Sequence, residues 1–463
     1  MTMPKAIVTL FFSGLLLLSL FLWGAGASQE AVTYIEIWVI VAVSLIVHLA
    51  ANIQRNWMRI DTVFLVSYFV VFFQWPIMHL YFELFPLHGF QAVALEHIQD
   101  IIAISGIGLI AWLIGYNLPS MKALKLKYET VQNAAAVPFV FLILLIVFLI
   151  AAGPSFLSRE IYTTAATSIT NTVEGTAAYL LDLLEITARL SLAVVLYIWA
   201  TKAKAPSLVL GAVSAQPWMH IAVLFAFCLL FLAAGERGQV IMILAGLAIG
   251  YGSSTRPIGF GLFALALIGG FAFFSLVGIL RASLDGGAQF GATFGYWELS
   301  TNLAQSFVTL GYAVEITQSS VPLIPGQVFF SQIFGIIPFG QSFMIPLLGF
   351  RATEVNSALL ITHYVFGPTP HSGLGTSIVA DLYLAFGLGG VCVGMVVFGQ
   401  VCQVMQRWLS GDHGFMRFYT AVIFAGLAVY IVRASFLYPL KPVLWGLLFG
   451  ALFLALGSRR SRS

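Results

Sequence analysis

The sequence has few charged residues and few cysteines, and both shortages narrow the class of protein. Only 8% of its 463 residues are Asp, Glu, Lys or Arg, whereas 60% are hydrophobic. A soluble domain carries about 25% charged residues, so a soluble globular fold is excluded. The 3 cysteines all fall in apolar runs, and their spacing matches neither a disulfide framework nor a metal site. A formal net charge of +3 gives no basis for a nucleic-acid partner.

Motifs for nucleotide and metal chemistry are also missing. The chain has no P-loop, no dinucleotide-binding glycine pattern, no zinc motif and no Asp-x-Asp pair that would hold a nucleotide sugar with a metal ion. We therefore expect neither a cofactor nor a metal ion, and a cytoplasmic nucleotide sugar is disfavoured as a substrate.

Apolar runs of roughly twenty residues dominate the rest of the chain. At 1.5 Å per residue, a helix of that length crosses a hydrocarbon core about 30 Å thick. The pattern predicts an all-α polytopic membrane protein that forms a single domain over 1–463. About twelve transmembrane helices are predicted, near residues 6–24, 35–52, 60–80, 100–118, 135–152, 176–200, 217–234, 238–254, 257–280, 376–405, 415–432 and 439–457.

The distribution of Lys and Arg predicts the orientation of these spans. With the N-terminus inside, fourteen basic residues fall on the inner side and six on the outer side, while Arg189 falls within a span. Basic residues concentrate on the cytoplasmic side of membrane proteins. Both termini are therefore predicted to be cytoplasmic.

One long polar interruption, 281–375, lies between the ninth and tenth predicted spans. Connections of this length are usually functional or disordered. Aromatic and aliphatic residues are interleaved too densely here for disorder. We expect a folded, partly helical external loop that carries the chemistry. A smaller external loop is predicted at 153–175.

Arginines on the predicted outer side are unusual, because outer segments normally avoid them. Most stand at a span end or in a short turn, and helix ends at one membrane face converge in a compact bundle. A guanidinium matches phosphate oxygens, so a lipid-linked phosphate or diphosphate is a suitable ligand. The alternative is that each arginine reaches the interface or pairs with a nearby acid. The candidates are Arg159, Arg237, Arg281, Arg351 and Arg433.

Two titratable residues near the start of the tenth span are candidates for proton transfer. His371 lies in a Gly-rich turn and could act as a general base, since an imidazole titrates near neutrality. Asp381 lies about one turn into the span, where a carboxylate needs a cavity or a cationic partner. Glu298 is a weaker candidate for a base. For each of them, a packing or neutralising role is the alternative.

A further acidic and basic group falls inside the sixth predicted span. Glu185 and Arg189 are spaced as an i, i+4 pair. We expect Asp182, Glu185 and Arg189 to neutralise one another within the bundle.

Several of these motifs resemble those of a known family. The Gly235-Glu-Arg237-Gly238 turn is similar to a short Gly-x-Arg turn, and the long loop carries Pro322-Leu-Ile-Pro325 and Ile337-Pro338. The loop leads to His371-Ser-Gly-Leu-Gly-Thr-Ser377 and to a helix that starts Asp381-Leu-Tyr383, and Arg433 ends the penultimate span. Together they resemble the bacterial polymerases of lipid-linked oligosaccharide repeat units, the O-antigen or Wzy type, which include the enterobacterial common antigen polymerase.

The resemblance implies a metal-independent glycosyltransferase of the multi-span GT-C class, with its active site on the periplasmic face of the bacterial inner membrane. The donor would be a glycan on undecaprenyl diphosphate, the acceptor a repeat unit on the same lipid, and the leaving group undecaprenyl diphosphate. A chain-length-regulating co-polymerase is an implied partner, alongside the lipids of the inner membrane. The alternatives are an O-antigen ligase, which would transfer the glycan to a lipid A core, and a flippase of lipid-linked oligosaccharides.

Roles for the candidate residues follow from that reaction. Fixed positive charge is needed where the diphosphate leaves, and Arg237, Arg281 and Arg433 could supply it. Arg159 or Arg351 could hold the second lipid diphosphate. His371, or failing that Asp381, would remove the acceptor proton, and Tyr383 and Glu298 complete the predicted substrate-binding set.

Overall fold

The structure is a computed structural model of the whole chain. It describes residues 5–25, 30–52, 55–82, 91–119, 136–153, 176–204, 217–233, 238–270, 272, 296–319, 324–368, 370, 373–411 and 414–460. All regular elements in these ranges are helices, and no strand occurs in them. The prediction of an all-α protein is confirmed for this part of the chain.

The helices are numbered here in chain order. They are α1 Lys5–Ala25, α2 Glu30–Asn52, α3 Ile60–Phe72, α4 Gln74–Phe82, α5 Gln91–Glu96, α6 Ile98–Asn117, α7 Ala136–Ala152, α8 Thr176–Lys204, α9 Pro217–Ala233, α10 Gly238–Ser254, α11 Phe260–Gly270, α12 Tyr296–Gln318, α13 Phe330–Phe334, α14 Gly340–Leu347, α15 Ser357–Phe366, α16 Ile378–Ser410, α17 Phe415–Leu427 and α18 Leu440–Arg460. Two short 3-10 turns occur at Gln327–Phe329 and Ile431–Arg433.

The lengths and apolar compositions of these helices fit a polytopic membrane protein. Many of the described helices contain apolar stretches of 10–17 residues. The third predicted span, 60–80, is divided by a turn at Phe73. The number of spans and the external position of 281–375 stay predictions. In the described ranges, three helical segments are long and apolar enough to cross a membrane by themselves: Ile98–Asn117, Thr176–Thr201 and Ile378–Ser410.

Helices α6 and α16 form the most extensive helix pair and approach each other through glycines. A methyl group on Gly115 would overlap the carbonyl oxygen of Val396, and one on Gly399 would overlap that of Trp112. Small residues allow helix backbones to come this close inside a membrane, where dispersion contacts drive helix packing. The pair therefore provides a closely packed unit against which α1, α2 and α12 also pack.

Helix α16 is broken near its N-terminal end. Phe386 has φ −147° and ψ 17°, and Gly387 has φ 63° and ψ −156°, which lies outside the torsion range that side chains tolerate. The carbonyl of Ala385, just before the break, accepts a hydrogen bond from the amide of Gly326 at 3.0 Å. The tenth predicted span is thus a short helical piece that carries Asp381, followed by a long one.

The interrupting segment 281–375 is helical over much of its described length. Helix α12 lies within it and packs against α3, α6 and α16. Its residues from Phe307 to Val314 are all buried. Part of the segment predicted as a loop is therefore integral to the helix packing.

Ion pairs on α8 follow the sequence prediction only in part. Arg189 donates from Nη2 to Glu185 Oε2 at 3.0 Å, which confirms the i, i+4 pair, and to Gln239 Oε1 on α10 at 3.2 Å. Asp182, however, pairs with Lys441 of α18, whose Nζ lies 2.6 Å from Asp182 Oδ2. The expected three-residue neutralisation is wrong on this point, because Asp182 lies almost two helical turns from Arg189 and a cation on a neighbouring helix is closer.

Candidate functional site

The predicted site residues are unevenly represented in the described part of the chain. Arg159, Arg237, Arg281 and His371 lie outside the described residues. Glu298 lies in the first turn of α12, but its side chain is not described. The site is therefore built from the remaining candidates and from the residues that contact them.

Asp381 is hydrogen-bonded through one carboxylate oxygen at the start of α16. Its side chain has 0% exposure, and Oδ2 accepts hydrogen bonds from the Ser435 hydroxyl and the Phe436 amide, both at 2.8 Å. The contact ties α16 to the segment between the 3-10 turn Ile431–Arg433 and α18. A general base has to reach the proton that it removes. Complete burial therefore favours a positioning role for Asp381.

Arg433 ends the same 3-10 turn and reaches α12. Its Nε donates to Ser306 Oγ at 3.2 Å, and its side chain is half-buried. Burial lowers the pKa of the Arg433 guanidinium, but a guanidinium is not deprotonated in proteins. No carboxylate in the described ranges forms an ion pair with it. The turn thus presents a desolvated cation that a neutral hydroxyl holds in place.

Helix α10 begins beside this turn. Its first residue, Gly238, faces Tyr430, and a Cβ at Gly238 would stand 3.8 Å from Tyr430 Cε2. Gly238 is also the last residue of the Gly235–Gly238 turn that carries Arg237 in the sequence. The end of that predicted arginine turn and the turn that carries Arg433 are therefore neighbours.

A carboxylate that the sequence analysis did not single out lies near the C-terminal end of α12. Glu315 Oε1 accepts a hydrogen bond from the Tyr364 hydroxyl on α15 at 3.0 Å, while Oε2 is buried without a hydrogen-bond partner in the described residues. Local desolvation and the Glu315 carboxylate raise the pKa of the Tyr364 phenol. In the sequence, Glu315 directly follows the largely apolar run Phe307–Val314. This position could have marked it as a candidate, but the run was treated as part of the external loop.

Tyr383 lies on α16 near the same end of α12. Its side chain is half-buried, and its phenol interacts with the Thr317 hydroxyl of α12 and lies within electrostatic range of Asp100 on α6. Tyr383 therefore belongs to the group of polar residues where α6, α12 and α16 meet.

The segment before α16 is hydrogen-bonded to α15, whereas the Arg351 side chain is exposed. The Leu374 amide donates to Thr362 Oγ1 on α15 at 3.1 Å, and His371 precedes Leu374 by three residues in the sequence. Arg351 is exposed, and its amide donates to Glu354 Oε2 at 2.9 Å. The described contacts do not join Arg351 to Asp381 or Arg433.

The Arg433 turn, and not the Asp381 carboxylate next to it, suits an oxyanion. It presents a fixed guanidinium beside the Ser306 hydroxyl. Within the described ranges, no three His, Cys, Asp or Glu side chains are grouped to hold a metal ion. Fixed donors of this kind stabilise negative charge without reorganising during a reaction.

Comparison with known proteins gives one result. A family model described as "O-antigen polysaccharide polymerase Wzy" matches residues 7–461, nearly the whole chain. Searches of the curated proteins and of the solved structures give no significant match.

Proposed function

Because this chain belongs to the O-antigen polysaccharide polymerase Wzy family, we propose that it joins oligosaccharide repeat units carried on undecaprenyl diphosphate. Membership implies O-antigen polymerase activity of the glycosyltransferase type and agrees with the resemblance found in the sequence. The acceptor hydroxyl attacks the anomeric carbon of the donor glycan and forms the new C–O bond. The bond between that carbon and the diphosphate oxygen breaks, and undecaprenyl diphosphate leaves.

The position of Arg433 is the observation that carries this proposal. A departing diphosphate accumulates negative charge, which a preorganised cation stabilises. Arg433 is such a cation, held by Ser306, and Tyr430, three residues before it, faces the first residue of α10. We assign the leaving diphosphate to Arg433 together with Arg237 and Arg281, and the second lipid diphosphate to Arg159 or Arg351. We propose that the positive charges of these three arginines replace a metal ion in this step, in a metal-independent, GT-C-like enzyme.

Proton removal is assigned to His371. The imidazole has a suitable pKa, and the sequence after it is anchored to α15 through Leu374 and Thr362. Asp381 is proposed to position the Arg433 turn through Ser435 and Phe436. Tyr383 and Glu298 are proposed contacts to the sugars.

The same proposal sets the location. The start of α16 is assigned to the periplasmic face of the inner membrane, with both termini in the cytoplasm, because the Lys and Arg distribution predicts that orientation. Sugars and lipid diphosphates would then meet at the interface, where the lipid tails stay in the bilayer.

The test uses the purified full-length protein in detergent, a synthetic undecaprenyl-diphosphate repeat unit and excess EDTA, with products separated as a ladder on a gel. We expect a ladder from the wild type and a loss of about 100-fold or more in Arg433→Ala, as for removal of one oxyanion donor. His371→Ala and Arg281→Ala are tested in parallel. Arg417→Ala is the matched control, since Arg417 lies over the Trp408 ring on α16 and outside the site.

The outcomes separate the alternatives. A full ladder from Arg433→Ala would remove Arg433 from the reaction. Transfer that requires added lipid A core would identify a ligase. Lipid movement across vesicles without any glycosyl transfer would identify a flippase.

A further inference from the structure

A polar cavity lies at the end of α16 opposite to Asp381. Its volume is about 180 Å³, several times the roughly 30 Å³ that one water occupies in the liquid. The stretch of α16 from Asp381 to Arg407 is about 35–40 Å long at 1.5 Å per residue. The cavity is therefore remote from the candidate active site. Its walls include Lys5, Arg59, Tyr116, Gln406, Arg407 and Ser410.

Positive charge dominates the walls of this cavity. Lys5, Arg59 and Arg407 all line it, from the start of α1, the residue before α3 and the end of α16. Desolvation and the charges of Arg407 and Arg59 lower the pKa of Lys5, and Asp61 gives a smaller opposing effect. In the described part of the chain, three cationic side chains line the cavity, and Asp61 pairs with one of them, Arg59.

That carboxylate is already engaged away from the cavity. Asp61 is fully buried, with Oδ1 2.9 Å from Arg59 Nε and Oδ2 3.3 Å from His48 Nε2. Arg59 also donates from Nη2 to the Tyr116 hydroxyl at 2.9 Å. The Arg59 guanidinium is thus fixed from two sides.

The opposite wall is also held rigidly. Gln406 Oε1 accepts from the Ile60 amide at 2.9 Å, and its Nε2 donates to the Ser253 and Ser410 hydroxyls at 3.0 and 3.2 Å. These bonds join α3, α10 and α16 around the cavity. A site whose polar walls are fixed before binding loses little entropy on taking a ligand.

We propose that this cavity binds one phosphate group, either the headgroup of an anionic phospholipid in the adjacent leaflet or a phosphate-bearing solute. A guanidinium fork beside an ammonium group suits phosphate oxygens. Basic cavities between helix ends on the cytoplasmic side are the places where anionic headgroups bind, and the basic residues predict the cytoplasm at this end. The site is independent of the proposed reaction.

The experiment measures binding to the full-length protein in detergent. Native mass spectrometry with phosphatidylglycerol or phosphatidylcholine counts bound lipids, and thermal unfolding with inorganic phosphate or chloride at equal ionic strength tests the free anion. The variant is Lys5→Gln combined with Arg407→Gln, which removes two charges and leaves the Arg59–Asp61 pair intact. Arg417→Gln is the matched control.

We expect one phosphatidylglycerol to bind at least about tenfold more tightly than phosphatidylcholine, and the double variant to lose about tenfold in that affinity. The control should change less than about twofold. Stabilisation by inorganic phosphate that the double variant loses would identify a solute site instead of a headgroup site. Equal binding of both lipids without any effect of phosphate would overturn the proposal, as would unchanged binding in the double variant. Lys5→Gln alone replaces the double variant if the latter does not fold.

Discussion

The buried hydrogen bonds of Asp381 set the position of the Arg433 guanidinium, although Asp381 does not contact that group. The Asp381 carboxylate accepts from Ser435 and Phe436, which directly follow the turn that carries Arg433. Arg433 in turn reaches Ser306 on α12. The carboxylate therefore fixes the backbone next to the cation without touching the guanidinium.

This arrangement predicts different effects of two substitutions at Asp381. Asp381→Ala should lower the free energy of unfolding by about 2–4 kcal/mol, because the Ser435 hydroxyl and the Phe436 amide lose their acceptor in a buried place. Asp381→Asn keeps an acceptor oxygen and should cost about 1 kcal/mol. Thermal unfolding of the purified variants in detergent, followed by tryptophan fluorescence, gives the order.

Activity of the same two variants separates positioning from catalysis. A positioning role predicts that Asp381→Asn retains a substantial part of the polymerase activity. Loss of activity by about 100-fold or more in Asp381→Asn, at an unchanged unfolding temperature, would show that Asp381 is the base instead.

Single residues show how far the sequence alone could go. The Glu185–Arg189 pair follows from helical spacing and was predicted. The Asp182–Lys441 pair was not, because its members are 259 residues apart and only the packing of α8 against α18 brings them together. The arginines could be chosen as candidates because of their charge. Ser306 and Ser435 could not be chosen, because nothing in the sequence distinguishes these two serines from the others.

Gly115 and Gly399 explain how α6 and α16 can pack backbone against backbone. Glycine in a helix interior is normally unfavourable by about 1 kcal/mol relative to alanine. Here the missing methyl groups are required, since each would meet a carbonyl oxygen of the opposite helix. Gly389 lies on the same helix, with nothing within 4 Å of the Cβ it would carry.

These two positions on α16 predict opposite responses to the same substitution. Gly399→Ala should lower the unfolding temperature by several degrees, because the helices have to separate to admit the methyl group. Gly389→Ala should leave it unchanged or raise it slightly, by the gain in helix propensity. The comparison is a thermal unfolding curve for each variant. Equal effects at both positions would show that α6 and α16 are not in close backbone contact.

Helices were predictable where long apolar runs exist, as in α6 and α16. The segment 281–375 was predicted to be partly helical, but the place of α12 was not predicted because its apolar run, Phe307–Val314, is short and flanked by polar residues. Only burial against α3 and α16 makes it a helix of the bundle. The break at Gly387 was missed because a glycine inside an apolar run does not show which torsions it adopts.

Considered over its full length, the chain has a polar cluster at each end of α16, separated by apolar packing. Asp381 and Arg433 belong to one cluster, and Arg59, Asp61 and Arg407 belong to the other. The Lys and Arg distribution assigns these ends to opposite sides of the membrane.

Labelling from one side of the membrane tests this orientation. Arg55 is exposed between α2 and α3, and Ala352 is exposed in the segment before α15. With the native cysteines replaced by alanine, a membrane-impermeant maleimide added to intact spheroplasts should label Ala352→Cys and leave Arg55→Cys unlabelled until the cells are opened. The reverse pattern would invert the topology and move the proposed active site to the cytoplasm.

The hydrogen bond from Gly326 to Ala385 restricts how substrates can arrive. A carbonyl beside a helix break needs a partner, and leaving it without one in apolar surroundings costs on the order of 2–7 kcal/mol. Gly326 supplies that partner, and Phe329 packs its ring 5.9 Å from the Phe386 ring at the break. The segment around Gly326 is therefore fixed to the break in α16. For the reaction proposed above, this fixed segment predicts that the two lipid-linked glycans enter sideways from the bilayer and not past Gly326.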